Sequence, residues 1–204
     1  VSQKEAEMIN DLTSDPVWAH TVPLIEDMEP ESSPFDERSG LVFVGNFRHL
    51  PNLEAVEILD REILPLLDPA LLARHPLRIV GNGLREVAED LDLQSPFVQL
   101  VGWVPSLVPY LASARVAVVP LRSGAGTKTK LIQALTVGTP TVSTTIGAEG
   151  LELRPDIDLL VADEPAAMAA AITRLLTDAK LWRQLAASGK GRIGAMHSRL
   201  AVRA

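Results

Sequence analysis

The residues best suited to chemistry lie in one glycine-rich segment, RSGAGTKTK at 122–130. A short apolar run ends just before it, and a helix is predicted to begin near Thr127. The first turn of a helix presents unbonded N–H groups and the positive end of the dipole, so it favours a phosphate. Lys128 and Lys130 fall in this predicted turn, where cations are unfavourable unless an anion neutralises them. A phosphate site is one interpretation, and two solvated surface lysines are an equally acceptable one.

Other nucleotide motifs do not fit. A Walker A loop needs GxxxxGK[ST], whereas Thr127 separates Gly126 from Lys128. The dinucleotide fingerprint needs a third glycine, which is missing after the GNG at 81–83, so NAD binding is not expected. Cysteine is absent and the four histidines lack metal-ligand spacing, so the sequence predicts neither a metal nor a cofactor.

The composition bounds the class of protein. The chain has 204 residues, 47% of them hydrophobic, which is enough for one full core. Its net charge of -7 disfavours nucleic acid as a partner. No apolar run approaches the roughly 20 residues of a membrane span, and we expect a cytoplasmic location. The sequence lacks an initiator Met, so we expect a fragment or a processed product.

Six short apolar runs alternate with helical stretches. The predicted strands occupy 41–46, 77–83, 98–104, 114–121, 139–145 and 158–163. The predicted helices occupy 52–67, 84–91, 106–114, 129–138 and 166–189. Continuous rather than alternating apolar runs indicate strands buried on both faces, and alternation with helices indicates parallel pairing. We therefore predict an α/β fold with a doubly wound, mainly parallel, six-stranded Rossmann-like sheet flanked by helices.

The chain divides into three predicted parts. Residues 1–39 carry a helix-like start and an acidic Pro/Ser-rich stretch, which we interpret as the remnant of a preceding domain plus a linker. Residues 40–195 form the α/β domain, and 196–204 form a tail. Ligands of open parallel sheets bind beyond the carboxyl ends of the strands. Four of the predicted strands run into glycine there, which permits sharp turns and close approach to a ligand.

Three segments together resemble one family. GAGTKTKLIQALTVGTPTVSTTIGAEGL (124–151) is similar to the donor-binding signature of retaining glycosyltransferases of the GT-B fold, family 4 (group 1). LVFVGNFRHLPNLEAV (41–56) resembles the first strand and loop of their C-terminal domain, and 98–124 resembles the stretch that follows. The resemblance covers nearly the whole chain. It implies that the chain is one half of a GT-B fold.

The resemblance assigns the diphosphate to the glycine-rich loop. It implies that Lys128 contacts the donor diphosphate and stabilises it as the leaving group, with Lys130 as a supporting cation. It also brings the backbone of Gly124, Gly126 and Thr127 close to the phosphates. No further catalytic residue is assigned.

The remaining donor contacts follow from the same resemblance. The backbone at Trp103 and Val104 would meet the nucleobase. Gln133, at the place of the family's second Glu, would bond the ribose hydroxyls. The first loop would border the phosphates or the sugar through three residues: Gly45, Asn46 and Arg48.

The implied activity is transfer of a hexosyl or deoxyhexosyl group from a nucleoside-diphosphate sugar to a glycan or lipid-linked acceptor. The acceptor would bind a missing N-terminal domain, which would also carry any peripheral membrane contact. We expect the isolated domain to be inactive and its apolar cleft surface to favour self-association.

Two departures from the family pattern leave alternatives open. The first Glu of the family's pair is replaced by Ala125, and the second by the neutral Gln133. A degenerate, non-catalytic GT-B-like binding or assembly module is therefore the main alternative. An epimerase of GT-B type would need acid and base side chains that the sequence does not show, and an unrelated doubly wound domain would make the motif matches coincidental.

Overall fold

The computed structural model describes residues 3–13, 33–124 and 126–197. Six strands form one sheet: β1 Leu41–Val44, β2 Leu77–Val80, β3 Val98–Gly102, β4 Val116–Val119, β5 Thr141–Ser143 and β6 Leu160–Val161. They lie in the order β3-β2-β1-β4-β5-β6, and every pair is parallel. This is the doubly wound, Rossmann-like sheet predicted from the apolar runs, and it reverses direction of winding between β1 and β4.

Helices cover both faces of the sheet. Their bounds are α1 Gln3–Thr13, α2 Leu50–Ile58, α3 Pro69–Arg74, α4 Leu84–Val87, α5 Val108–Ser113, α6 Thr129–Thr136, α7 Thr145–Ala148, α8 Pro165–Thr177 and α9 Ala179–His197. Leu41 and Phe43 of β1 belong to one apolar cluster, whereas Val42 belongs to a second on the opposite face. The central strand is therefore buried on both sides, as a continuous apolar run requires.

The edge strand β3 departs from that pattern. Gln99 and Leu100 are exposed, with 39% of Leu100 accessible. The helix predicted at 84–91 is only four residues long, so it covers little of this strand. The prediction that every strand is buried on both faces is wrong here.

Two predicted helices are interrupted. The helix expected at 52–67 becomes α2, then a π turn at Leu59–Ile63 and a 3-10 turn at Leu64–Leu66, because Pro65 has no N–H with which to continue it. The helix expected at 166–189 breaks at Asp178, whose carboxylate accepts from the amides of Lys180 and Leu181 at 2.9 Å. This side-chain cap starts a new helix, α9.

A clasp at the amino ends of the strands joins the segment before β1 to α9. The Arg38 guanidinium is 1% exposed and lies 5.1 Å from the Trp182 ring, against which Phe35 packs edge-on at 5.7 Å. Arg38 also donates to Thr139 Oγ1 at 2.8 Å. This part of the predicted linker packs on the domain, whereas residues 14–32 and, in the tail, 198–204 lie outside the described residues. The division into three parts stays a prediction.

Candidate functional site

A cavity of about 700 Å³ opens at the carboxyl ends of β1 and β4, where the strand order reverses. Its volume lies in the range of small-molecule sites, and its place is where doubly wound sheets bind ligands. Nine of the residues predicted to contact a donor line it: Gly45, Asn46, Trp103, Val104, Gly124, Thr127, Lys128, Lys130 and Gln133. The fold thus gathers residues from three separate loops and α6 around one space.

Two predicted contact residues lie outside this lining. The Arg48 guanidinium donates to both carboxylate oxygens of Glu86, at 3.2 and 3.0 Å, and this ion pair raises the pKa of Arg48 and lowers that of Glu86. Gly126 adopts φ +77°, in the left-handed region, and shapes the loop without lining the cavity. Ala125, the position of the family's first Glu, lies outside the described residues.

The helix after the glycine loop begins at Thr129, the first residue of the predicted range 129–138 and two residues after Thr127. Lys128 therefore occupies the N-cap position, and no side chain caps the helix there. Its ammonium turns back to donate to the carbonyls of Gly124 and Gly126, at 3.0 and 2.7 Å. Lys128 is 7% exposed, so a solvated surface lysine is excluded at this position. Its side chain closes the loop while remaining in the cavity wall.

Lys130 is the second cation of the wall. Its ammonium donates to Oδ1 of Asn52 and lies 4.7 Å from the centre of the Phe43 ring. Burial, and to a lesser extent the nearby charge of Lys128, lower its pKa from 10.5 to about 8. Neither Asp nor Glu occurs among the lining residues that the structure describes. Two cations without a facing carboxylate make a site for an anion.

Close approach of two loops fixes the floor of the cavity. A Cβ on Gly81 would lie 1.8 Å from the carbonyl oxygen of Gly45, so no side chain fits at that position. A Cβ on Gly45 would in turn lie 3.0 Å from Cγ of Asn52. The amide of Phe47 donates to the carbonyl of Asn82 at 2.8 Å and ties the loops after β1 and β2 together. Glycine is required here by space, in addition to backbone freedom.

The far end of the cavity is apolar and aromatic. Trp103 follows Gly102, whose φ of +82° turns the chain out of β3, and 64% of its surface is exposed. Val104 and Leu107 continue the wall, and Gln133 of α6 adds an amide. An exposed indole beside an anion site can stack on a planar base.

Sequence reasoning missed several lining residues. The lining residues that were not predicted as donor contacts are Val44, His49, Pro51, Asn52, Gly81, Asn82, Leu107, Leu121, Ser123 and Thr129. Gly81 and Asn82 carried a signal, because they follow a strand directly at the binding edge. Asn52 gave no signal, since its partner Lys130 lies 78 positions away.

No three His, Asp or Glu side chains within 3–13, 33–124 and 126–197 are grouped as a metal site. Over the same ranges, no helix is both long and apolar enough to cross a membrane. That the protein uses neither a metal nor a cofactor stays a prediction.

Known structures share this architecture. A mutant of S. aureus TarM, in complex with fondaparinux, alpha-GlcNAc-glycerol and UDP, superposes with a TM-score of 0.74 at 13% identity, over 100% of this chain and 41% of TarM. Sucrose-phosphate synthase from Thermosynechococcus elongatus gives 0.65 at 20% identity, over 99% and 54%. Anabaena HepE in complex with UDP gives 0.68 at 12% identity, over 99% and 51%. The chain thus spans about half the length of these proteins, and the likeness is one of fold, that of a GT-B half.

Sequence comparison identifies the family. No curated protein sequence matches the chain. The family described as "Glycosyl transferases group 1" matches residues 38–178, well over half of the chain, including every strand and the whole cavity lining. The chain therefore belongs to the group 1 glycosyltransferases.

Proposed function

We propose that the chain is the donor-binding domain of a retaining family 4 glycosyltransferase, the C-terminal half of a GT-B enzyme, and that its cavity holds a nucleoside-diphosphate sugar. One observation carries the proposal: a buried lysine, a half-buried lysine and no carboxylate line a cavity of about 700 Å³ at the switch point of a doubly wound sheet. A diphosphate matches that charge, and the cavity extends far enough to hold a base as well.

We propose one orientation of the donor in the cavity. The diphosphate would lie against Lys130 and the start of α6, where the ammonium and the helix dipole both favour negative charge. The base would lie beside Trp103, at the aromatic end. Gln133 of α6 also lines the cavity and would bond the ribose, as the family resemblance implies. The loop after β1, with Gly45 and Asn46, would border the phosphates or the sugar.

The positive charge of the cavity suits the departure of a diphosphate. In sugar transfer the bond between the anomeric carbon and the diphosphate oxygen breaks. The acceptor hydroxyl forms the new bond and releases its proton, and the diphosphate leaves with an added negative charge. Lys130, and Lys128 if its ammonium turns from the loop carbonyls to the phosphate, would stabilise that growing charge. Donors fixed before the reaction cost no reorganisation at the transition state.

The rest of the proposal concerns the whole enzyme. The acceptor would bind a second domain, so the chain by itself should bind donor but transfer no hexosyl or deoxyhexosyl group. We also propose a cytoplasmic location, no metal and no cofactor, membrane contact only through that second domain, and weak self-association through the open cleft. UDP is the first ligand to try, because TarM and HepE are both described with UDP.

Calorimetric titration with UDP, GDP, dTDP and ADP tests the proposal. We expect one of them to bind. Lys130→Ala and Lys128→Ala should each weaken that binding by about 1–3 kcal/mol, or about 5- to 150-fold, as expected when a charge-assisted contact is lost. Lys180→Ala is the matched control, because this exposed lysine on α9 lies outside the cavity lining. If no diphosphate binds, the degenerate-module alternative gains support.

A further inference from the structure

Asn52 connects two parts of the cavity. It is the third residue of α2 and is 9% exposed. Its Nδ2 donates to the carbonyl oxygen of Asn46 at 2.7 Å, and its Oδ1 accepts from the ammonium of Lys130. The carbonyl of Asn46 can only accept a hydrogen bond, so it fixes which end of the amide faces Lys130. One side chain therefore holds the β1 loop and a cavity lysine in register.

The partner of Lys130 is neutral. An aspartate of the same shape would bond the ammonium more strongly, but its charge would cancel the attraction for an anion. The Phe43 ring, from β1, supports the ammonium from another side and is also uncharged. Lys130 is thus oriented by two neutral groups, neither of which neutralises the positive charge of its ammonium.

The titratable groups around Lys130 are few. Lys128 lies at the start of the same helix, and His49 lies at the N-cap of α2. Both line the cavity, whereas β1 contributes no titratable side chain to it. Glu54 of α2 lies outside the lining and accepts a hydrogen bond from Ser123. Within the cavity lining, the groups that face Lys130 are therefore positive or neutral, and the nearest carboxylate named here, that of Glu54, is bonded to Ser123.

We propose that Asn52 is a positioning residue for donor binding: it aims the Lys130 ammonium at the donor diphosphate without neutralising it. The inference rests on the proposed function, since it takes the ligand to be a nucleoside-diphosphate sugar. Asn52 acts through Lys130, so its effect on affinity must vanish when Lys130 is absent.

A double-mutant cycle tests this dependence. Affinities for the tightest-binding nucleotide sugar are measured by calorimetry for the native chain, Asn52→Ala, Lys130→Ala and the double variant. We expect Asn52→Ala to weaken binding about tenfold in the native background and less than twofold in the Lys130→Ala background. An equal loss in both backgrounds, which a purely structural role predicts, would overturn the proposal.

Proton uptake gives a second readout. A group with a pKa of about 8 is half protonated at pH 8, so phosphate binding to Lys130 should draw in about half a proton. The sugar diphosphate itself keeps its charge in this range. Titration at pH 8 in two buffers of different ionisation enthalpy measures the uptake, with His49→Gln as a check on the imidazole. In Asn52→Asp the uptake should fall to near zero and affinity should drop about tenfold or more. Unchanged uptake would contradict the proposal.

Inorganic pyrophosphate separates this inference from the proposed function, because it needs no base or ribose contact. If pyrophosphate shows the cycle and no nucleotide sugar binds, the positioning role stands and the donor function falls. If a nucleotide sugar binds but the cycle is additive, the donor function stands and the positioning role falls. If neither ligand binds, both are overturned.

Discussion

The charge on Lys130 should make the folded protein less stable at neutral pH than it would be without it. Burial and the charge of Lys128 lower the pKa of Lys130 from 10.5 to about 8. That difference corresponds to about 3 kcal/mol against folding when both states carry the proton, and partial exposure of the side chain makes this an upper figure. Replacing Lys130 with Met keeps a flexible chain over Phe43 and removes the charge.

The expected gain is smaller than the full electrostatic cost. Met leaves Oδ1 of Asn52 without its donor, which costs about 1–2 kcal/mol. We therefore expect Lys130→Met to raise the free energy of unfolding at pH 7 by about 1–2 kcal/mol while it abolishes donor binding. Sites that bind charge commonly carry such a trade between stability and function.

The pH dependence of the unfolding free energy tests whether the charge on Lys130 destabilises the folded state. Below pH 8 both the folded and the unfolded chain carry the proton, so the cost is fully present. Between pH 8 and 10.5 the folded state releases it first, the cost disappears, and the unfolding free energy rises. Urea unfolding followed by circular dichroism at pH 7, 8.5 and 10 measures both effects. Lys180→Met, on the exposed face of α9, is the matched control. A Lys130→Met protein that is less stable than native at pH 7, with the native pH slope, would refute the reasoning.

Three further changes test separate parts of the account. Gly81→Ala should prevent folding or abolish binding, because its Cβ would lie 1.8 Å from the carbonyl oxygen of Gly45; a native-like circular dichroism spectrum with native affinity would contradict this. Asp158→Asn should lower the unfolding free energy at pH 7 by about 2 kcal/mol, because Arg154 holds the pKa of the buried Asp158 near 2. That contribution should be lost as acid takes the pH from about 4 to 2, so an acid-unfolding curve that matches the native one would count against it. Trp103→Ala should change stability by less than about 0.5 kcal/mol yet weaken nucleotide binding by about 1–3 kcal/mol, and calorimetry showing unchanged affinity would exclude a stacking role.

The six parallel strands of the fold were within reach of the sequence, whereas their order was not predicted. Continuous apolar runs that alternate with helices predicted the strands, and all six are present. The helix bounds were less accessible, because they depend on single side chains. Asp178 breaks one helix because its carboxylate accepts from two backbone amides. Pro65 ends another because it has no backbone N–H to donate. Composition and periodicity average over such local contacts.

The candidate site, like the fold, could be predicted from the sequence only in part. The residue types of the glycine loop made a phosphate site one of two equal interpretations, and the cavity contains both lysines. Their directions could not be predicted, because they depend on partners far along the chain or on the loop's own path. Lys130 bonds a side chain 78 positions away, whereas Lys128 folds back on its own loop. Arg48, expected at the donor, bonds Glu86 instead.

The measurement that tests the central claim most directly is a crystal structure of the chain with the nucleotide sugar that binds most tightly. The account predicts the diphosphate within hydrogen-bond distance of the Lys130 ammonium, with the base beside Trp103. A donor bound on another surface, or with its diphosphate away from the mouth formed by β1 and β4, would contradict the account.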